Sequence, residues 1–139
     1  MIYIIPGEPQ ALKRPRMLYD RKIFDIQKNE KLVQGIHLQS QHNDRPLFEG
    51  PLHMDVTFYL KTPQASRSKK PDRANRYHFF RPDLDNLLKF IFEIGTSVIY
   101  KDDCQIASVT SRKIYHQNPR TEFTLTPLDK DKAYENPKT

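Results

Sequence analysis

The sequence has one cysteine, Cys104, and no tryptophan among its 139 residues, and its acidic residues are outnumbered by basic ones, 17 to 23. A single cysteine excludes an internal disulfide and any metal centre built on clustered thiolates. No apolar run approaches the length of a membrane span, and the opening residues, MIYIIPGEP, lack the basic start and long apolar stretch of a signal peptide. A cytoplasmic protein with no membrane partner is the expectation. No repeat or low-complexity segment is present. The length suits one domain with its own core, needing neither disulfides nor structural metal. With 37% hydrophobic and 29% charged residues, that core is modest and the surface wet.

The formal net charge of +6 favours a polyanionic partner such as nucleic acid. Against this basic background the acids of one stretch stand out, RPDLDNLLKFIFEIGTSVIYKDDCQI, from Arg81 to Ile106. Asp83 and Asp85 open an apolar helical pattern, Lys89 lies one turn further in, and Asp102 and Asp103 follow its end. Leu84, Leu87, Leu88, Ile91, Ile94 and Val98 recur at the steps of a buried helical stripe. Asp85, Lys89 and Glu93 share the opposite side at steps of four. A helix here is core on one face and chemistry on the other, and the four aspartates stand where a fold could gather them.

Carboxylates in threes or fours, without cysteine or clustered histidine, are the ligand set preferred by hard cations such as Mg²⁺ or Mn²⁺. Asp83, Asp85 and Asp103 would suffice for one or two ions, which can activate water and stabilise an in-line displacement at phosphorus. Lys89 could then reach the scissile phosphate or steady its developing charge. An ordinary structural account uses the same residues: Asp83 as an N-cap, Asp85 in the first turn, Asp102 and Asp103 in a turn. The helix dipole would favour the first pair by about 0.5–1 kcal/mol each. Capping explains one pair at a time. It does not explain four acids in a basic chain, which repel one another unless a cation lies between them.

The rest of the chain reads in order. Ile2 to Ile5 is a strand closed by Pro6-Gly7. GEPQALKRPRM carries Lys13, Arg14 and Arg16 on a proline-stiffened loop, which is either a phosphate-gripping arm or a solvated connector. Tyr19 to Asp25 suggests a hairpin-like excursion. Ile26 to about His42 predicts a Gln-rich helix with a thin stripe of Ile26, Leu32, Val33 and Ile36, weakened by Gly35. His37 and His42 fall on different faces and read as surface histidines. Leu52 to Leu60 alternates cleanly and predicts a strand. The long basic loop at about 61–81 holds Lys61, Arg67, Lys69, Lys70, Arg73, Arg76 and Arg81 against Asp72. Tyr77, Phe79 and Phe80 close it, either as base-stacking groups or as rings tucked into the core. Ala107 to Tyr115 and Thr121 to Thr126 read as two more strands, with Lys113 a candidate for DNA-backbone contact or a solvated lysine. The residues at 128–139 read as a loose tail. Strand, helix, strand, helix, strand, strand points to a small α/β-like sheet flanked by two helices.

PDLDNLLK followed by VIYKDDCQI resembles the signature of RusA-type Holliday junction resolvases, D-x-D-N-x-x-K, a helix, then D-D-x-Q-[IV]. GEPQALKRPRM is similar to that family's early G-x-P…R-P-R segment. The resemblance implies an α+β single domain over 1–127 with a small mixed sheet, assembled as a homodimer that cuts four-way DNA junctions with Mg²⁺ or Mn²⁺ in recombination and repair. Asp83, Asp85 and Asp103 match its metal-binding aspartates, with Asp102 auxiliary, Lys89 its catalytic lysine, and Asn86 and Gln105 supporting positions. Dimerisation suits a two-fold junction that needs two symmetric nicks. The 61–81 loop is longer than in compact members of the family. Basic residues at 13–16 and 67–76, including Lys13, Arg14, Arg16, Arg67, Lys69, Lys70, Arg73 and Arg76, would hold the junction arms through phosphates. Two rivals stay open: a metal nuclease for other branched DNA, and a non-catalytic DNA-binding module whose acids only cap and turn.

Overall fold

Alternation in LHMDVTFYLK builds the centre of the molecule. The computed structural model describes residues 1–13, 16–17, 23–24, 27–63 and 73–128, with 16–17 and 23–24 described in the backbone alone. Strand β1 spans Ile2–Pro6, β2 Arg16–Met17, β3 Ile23–Phe24, β4 Leu52–Lys61, β5 Ile106–His116 and β6 Arg120–Pro127; helix α1 spans Lys28–His42 and α2 Leu84–Gly95. This is the element order the sequence predicts. A short antiparallel pair, β2–β3, overlaps the hairpin-like excursion expected over Tyr19 to Asp25 at Ile23 and Phe24, and the rest of that stretch lies outside the described residues.

The main sheet has the order β1-β6-β4-β5. Strand β4 pairs parallel with β5 and antiparallel with β6, which makes the sheet mixed. Parallel neighbours need a crossover, and α2 supplies it. Leu52, Met54, Val56, Phe58 and Leu60 are buried, while His53, Asp55, Thr57 and Tyr59 on the other face are half-buried. Each fully buried side chain of this kind contributes about 1.5–3 kcal/mol. On the open face Arg112 bonds Asp55 and Thr57, and Arg120 pairs with Glu122 while lying 4.0 Å over the Tyr59 ring, so the polar groups there neutralise one another.

Helix α2 follows its pattern: Leu87, Phe90, Ile91 and Ile94 enter the core, and Asp85, Lys89 and Glu93 are exposed. It ends three residues before Val98, at Gly95, because the chain turns there against Tyr100. The Tyr100 hydroxyl donates to Phe92 O at 2.7 Å, and a Cβ at Gly95 would lie 2.5 Å from that hydroxyl oxygen.

Helix α1 corrects two expectations. Leu32, Val33 and Ile36 are 62%, 54% and 56% exposed, so the apolar stripe faces outward; Ile26 lies outside the described residues. The inward line is mostly polar: Leu38 alone of its apolar residues is fully buried in the core, and the buried His42 and the Gln41 bonds to the Ile4 backbone seat the helix beside it. His42 is 3% exposed rather than a surface histidine. Its Nε2 lies 3.0 Å from Pro46 O, a pure acceptor, so Nε2 carries the proton and Nδ1 accepts from the Tyr3 hydroxyl at 2.8 Å. Lys31 reaches Glu93 on α2 at 3.0 Å. Among the described residues no helix is long and apolar enough to cross a membrane.

Candidate active site

Asp83 stands at the N-cap position of α2 in an extended conformation, yet its side chain makes no capping hydrogen bond. The capping account of this residue therefore fails, and its exposed carboxylate is left for other work. Asp85, in the first turn, accepts from the backbone of Asn86 at 2.9 Å and is also exposed. Lys89 and Glu93 continue the exposed line.

Asp102 does cap. Its carboxylate accepts from Cys104 N at 3.0 Å and opens a single 3-10 turn, Asp103–Gln105. Gln105 completes the box by accepting from the backbone of Lys101 and Asp102 at 2.9 and 3.1 Å. Its amide donates to Phe48 O and Gly50 O at 2.9 and 3.1 Å, tying the acidic turn to the approach to β4. The Cys104 backbone bond is the main reason that the Asp102 carboxyl titrates below its ordinary range. Asp103 is pushed the opposite way, first by burial and then by the Asp102 carboxyl and the charge of Glu93. Cys104 is exposed, and burial followed by the Asp102 charge raises its thiol. It remains a thiol, a poor nucleophile.

The two acidic pairs do not meet within one chain. Asp83 lies in the field of Lys113, far along β5, whereas Asp103 lies in that of Glu93, at the other end of α2. The 12 residues of α2 span about 18 Å. Among the described residues, no three Asp, Glu, His or Cys side chains form a ready ligand group. The donors fit a hard cation in chemistry, being exposed carboxylates with Asp83 uncommitted; their convergence is not present in the single chain.

The early basic segment docks beside the start of α2. Leu12 N donates to Asn86 O at 2.9 Å, and Gln27 brackets the same stretch through Lys13 N and Ala11 O, both at 2.7 Å. The Asn86 carbonyl thus anchors the early segment, and Lys13 is carried, exposed, toward the Asp85 end of the helix. Arg14, Arg67, Lys69 and Lys70 lie outside the described residues, as does the side chain of Arg16. Arg73 is half-buried and Arg76 exposed.

Lys113 has a part its sequence neighbourhood does not signal. Its ammonium donates to Phe80 O at 2.6 Å and Pro82 O at 2.7 Å, bracing the turn that delivers Asp83. Burial lowers its pKa, and the Asp83 charge partly opposes this. It is half-buried and bonded to two carbonyls rather than a free surface lysine. The contact joins residues 31 and 33 positions apart, beyond any local pattern.

A family model, endodeoxyribonuclease RusA, matches residues 6–126. A Bacillus subtilis (strain 168) protein, uncharacterized protein YqaN, is 33% identical over 132 residues, covering 88% of this chain and 93% of its own. The crossover junction endodeoxyribonuclease rusA of Lactococcus phage r1t is 35% identical over 77 residues, covering 55% of this chain and 54% of its own.

Proposed function

The chain belongs to the RusA endodeoxyribonuclease family, and on that premise we propose that it is a Mg²⁺-dependent nuclease that resolves four-way DNA junctions, in recombination and repair, by paired hydrolytic nicks. The observation that carries the reading is α2 itself. One face is core, and the other presents Asp85 and Lys89 in line beside an uncapped Asp83. Asp83, Asp85 and Asp103 are the carboxylates proposed to hold the ion, with Asp102 shaping the turn that presents Asp103. Bound Mg²⁺ or Mn²⁺ supplies a Lewis acid that favours hydroxide over water and offsets charge building on the phosphate. Lys89, one turn beyond Asp85, is set to face a phosphate oxygen and steady that charge. Lys13, Arg73 and Arg76 supply the salt-sensitive grip on the backbone.

This reading requires a homodimer. Asp83 and Asp85 lie at the opposite end of α2 from Asp103, so Asp103 must come from the second copy, giving two sites related by one two-fold axis. The outward line of α1, Leu32, Val33 and Ile36, is the surface we assign to that copy. Between Glu30 and Asp44 the only Lys, Arg, Asp or Glu is Lys31, which turns away to Glu93. Charge depletion around exposed apolar side chains marks the core of protein interfaces.

Among the described residues no three carboxylates converge, and this favours a second reading, a junction-binding module without catalysis. Asp85→Asn separates the two. A nuclease loses cleavage of a four-way junction while keeping or strengthening its binding, as negative charge is removed. If the variant cuts as well as the parent, the site assignment is wrong.

A further inference from the structure

Two phenylalanines stand in water just ahead of the acidic helix. Phe79 and Phe80 are 78% and 55% exposed, and Tyr77 is 72% exposed, so the rings are not tucked into the core. The Phe79 and Phe80 rings stack on each other, with centroids 4.5 Å apart and planes 28° apart. Exposed contiguous aromatic surface is unfavourable in a free protein and marks a contact surface.

The segment that carries them is held from both sides. Asn75 N donates to Tyr115 O at 2.8 Å, Tyr115 N to Arg76 O at 2.9 Å and His78 N to Lys113 O at 2.9 Å, so residues 75–78 line the edge of β5. The Lys113 ammonium then fixes Phe80 O and Pro82 O from below. Behind the rings, His78 packs on Tyr115 with centroids 4.7 Å apart. The rings are thus presented in place before any partner arrives, which lowers the ordering cost of binding.

The surroundings decide the partner. Arg73, Arg76 and Arg81 flank the rings, and the first acid that follows is Asp83. Aromatic faces set among cations match nucleobases on a phosphate backbone. Bases inside a continuous duplex bury their faces against neighbours, whereas bases at a branch point can leave the stack. We propose that Phe79 and Phe80 form a stacking platform for unstacked bases at the branch point of the DNA substrate, so that they select branched over linear DNA. The inference rests on the nuclease reading above and names what positions the strand at that site.

The test uses the full chain, in EDTA, with 2-aminopurine at the branch point of a four-way junction and, separately, in the middle of a linear duplex. The parent protein should change the emission of the branch-point probe and leave the duplex probe unaltered. Phe79→Ala/Phe80→Ala should abolish that response and weaken junction binding about tenfold or more, as loss of base stacking does, with duplex binding and thermal melting unchanged. Phe79→Tyr/Phe80→Tyr, which keeps the π faces, should retain both. An alanine variant with full probe response and full junction preference would overturn the platform. So would one that sediments at half the parent's mass, since the rings would then belong to a contact between copies. A parent protein that binds junction and duplex equally would instead refute the function itself, before any variant is made.

Discussion

The ammonium of Lys113 donates to the carbonyl of Pro82 at 2.7 Å, one residue before Asp83. A strand residue far along β5 thereby fixes the turn into α2. Replacing Lys113 with Met leaves Phe80 O and Pro82 O without this donor and should cost about 1–3 kcal/mol of stability. Single-turnover cleavage should fall more than junction affinity, because the change misplaces Asp83 and leaves the basic grip in place. Equal losses in both would mean that Lys113 serves binding.

Gln105 is the brace of the acidic turn. Gln105→Glu removes the amide that donates to Phe48 O and Gly50 O and places a carboxylate beside two carbonyls. A loss of about 1–3 kcal/mol is expected in urea unfolding, with cleavage reduced at temperatures where the variant is still folded. Gln105→Ala should cost a similar amount without the added repulsion.

Tyr100 and Gly95 give a pH signature. Burial, then the charge of Asp103, pushes the Tyr100 hydroxyl well above its ordinary 10.0. A raised pKa means that the neutral phenol is favoured in the folded state, so this contribution is complete below pH 10.0 and is lost as pH climbs toward the raised value. Tyr100→Phe should be less stable than the parent by about 1 kcal/mol at pH 8, and the gap should narrow above pH 10. Gly95→Ala, whose methyl would lie 2.7 Å from the Tyr100 ring carbon Cζ, should cost about 1–3 kcal/mol at every pH.

Subunit mixing tests the shared site. Asp85→Asn and Asp103→Asn should each be inactive alone. Mixed and re-annealed, they should regain nicking at one strand, because one of the two sites in the heterodimer then has both native aspartates. If native mass spectrometry finds the heterodimer and no nicking returns, each site lies within one chain. Ile36→Asp in both chains should abolish dimer and rescue together.

The elements were legible because their signals are local: the alternation of β4 and the heptad-like spacing of α2 each decide a burial pattern within one segment. The acidic pairs were legible as residues, and the separate work of Asp102 as a cap follows from turn chemistry. Their distance apart was not legible, since it depends on α2 running the length of a parallel crossover. The inward face of α1 was misread because it carries Leu38, outside the predicted stripe, and His42, buried through bonds to Tyr3 and Pro46 that a hydrophobic pattern does not encode. The Lys113 clamp and the exposure of Phe79 and Phe80 likewise arise only when residues 75–82 lie against β5.

The most direct measurement is cleavage of an end-labelled, immobile four-way junction beside a linear duplex with the same arm sequences, in Mg²⁺ and in EDTA. The account predicts symmetric nicks near the branch point of the junction in Mg²⁺, none on the duplex, and none in EDTA. Junction binding without a cut in Mg²⁺ or Mn²⁺, or cutting that persists in EDTA, would contradict it.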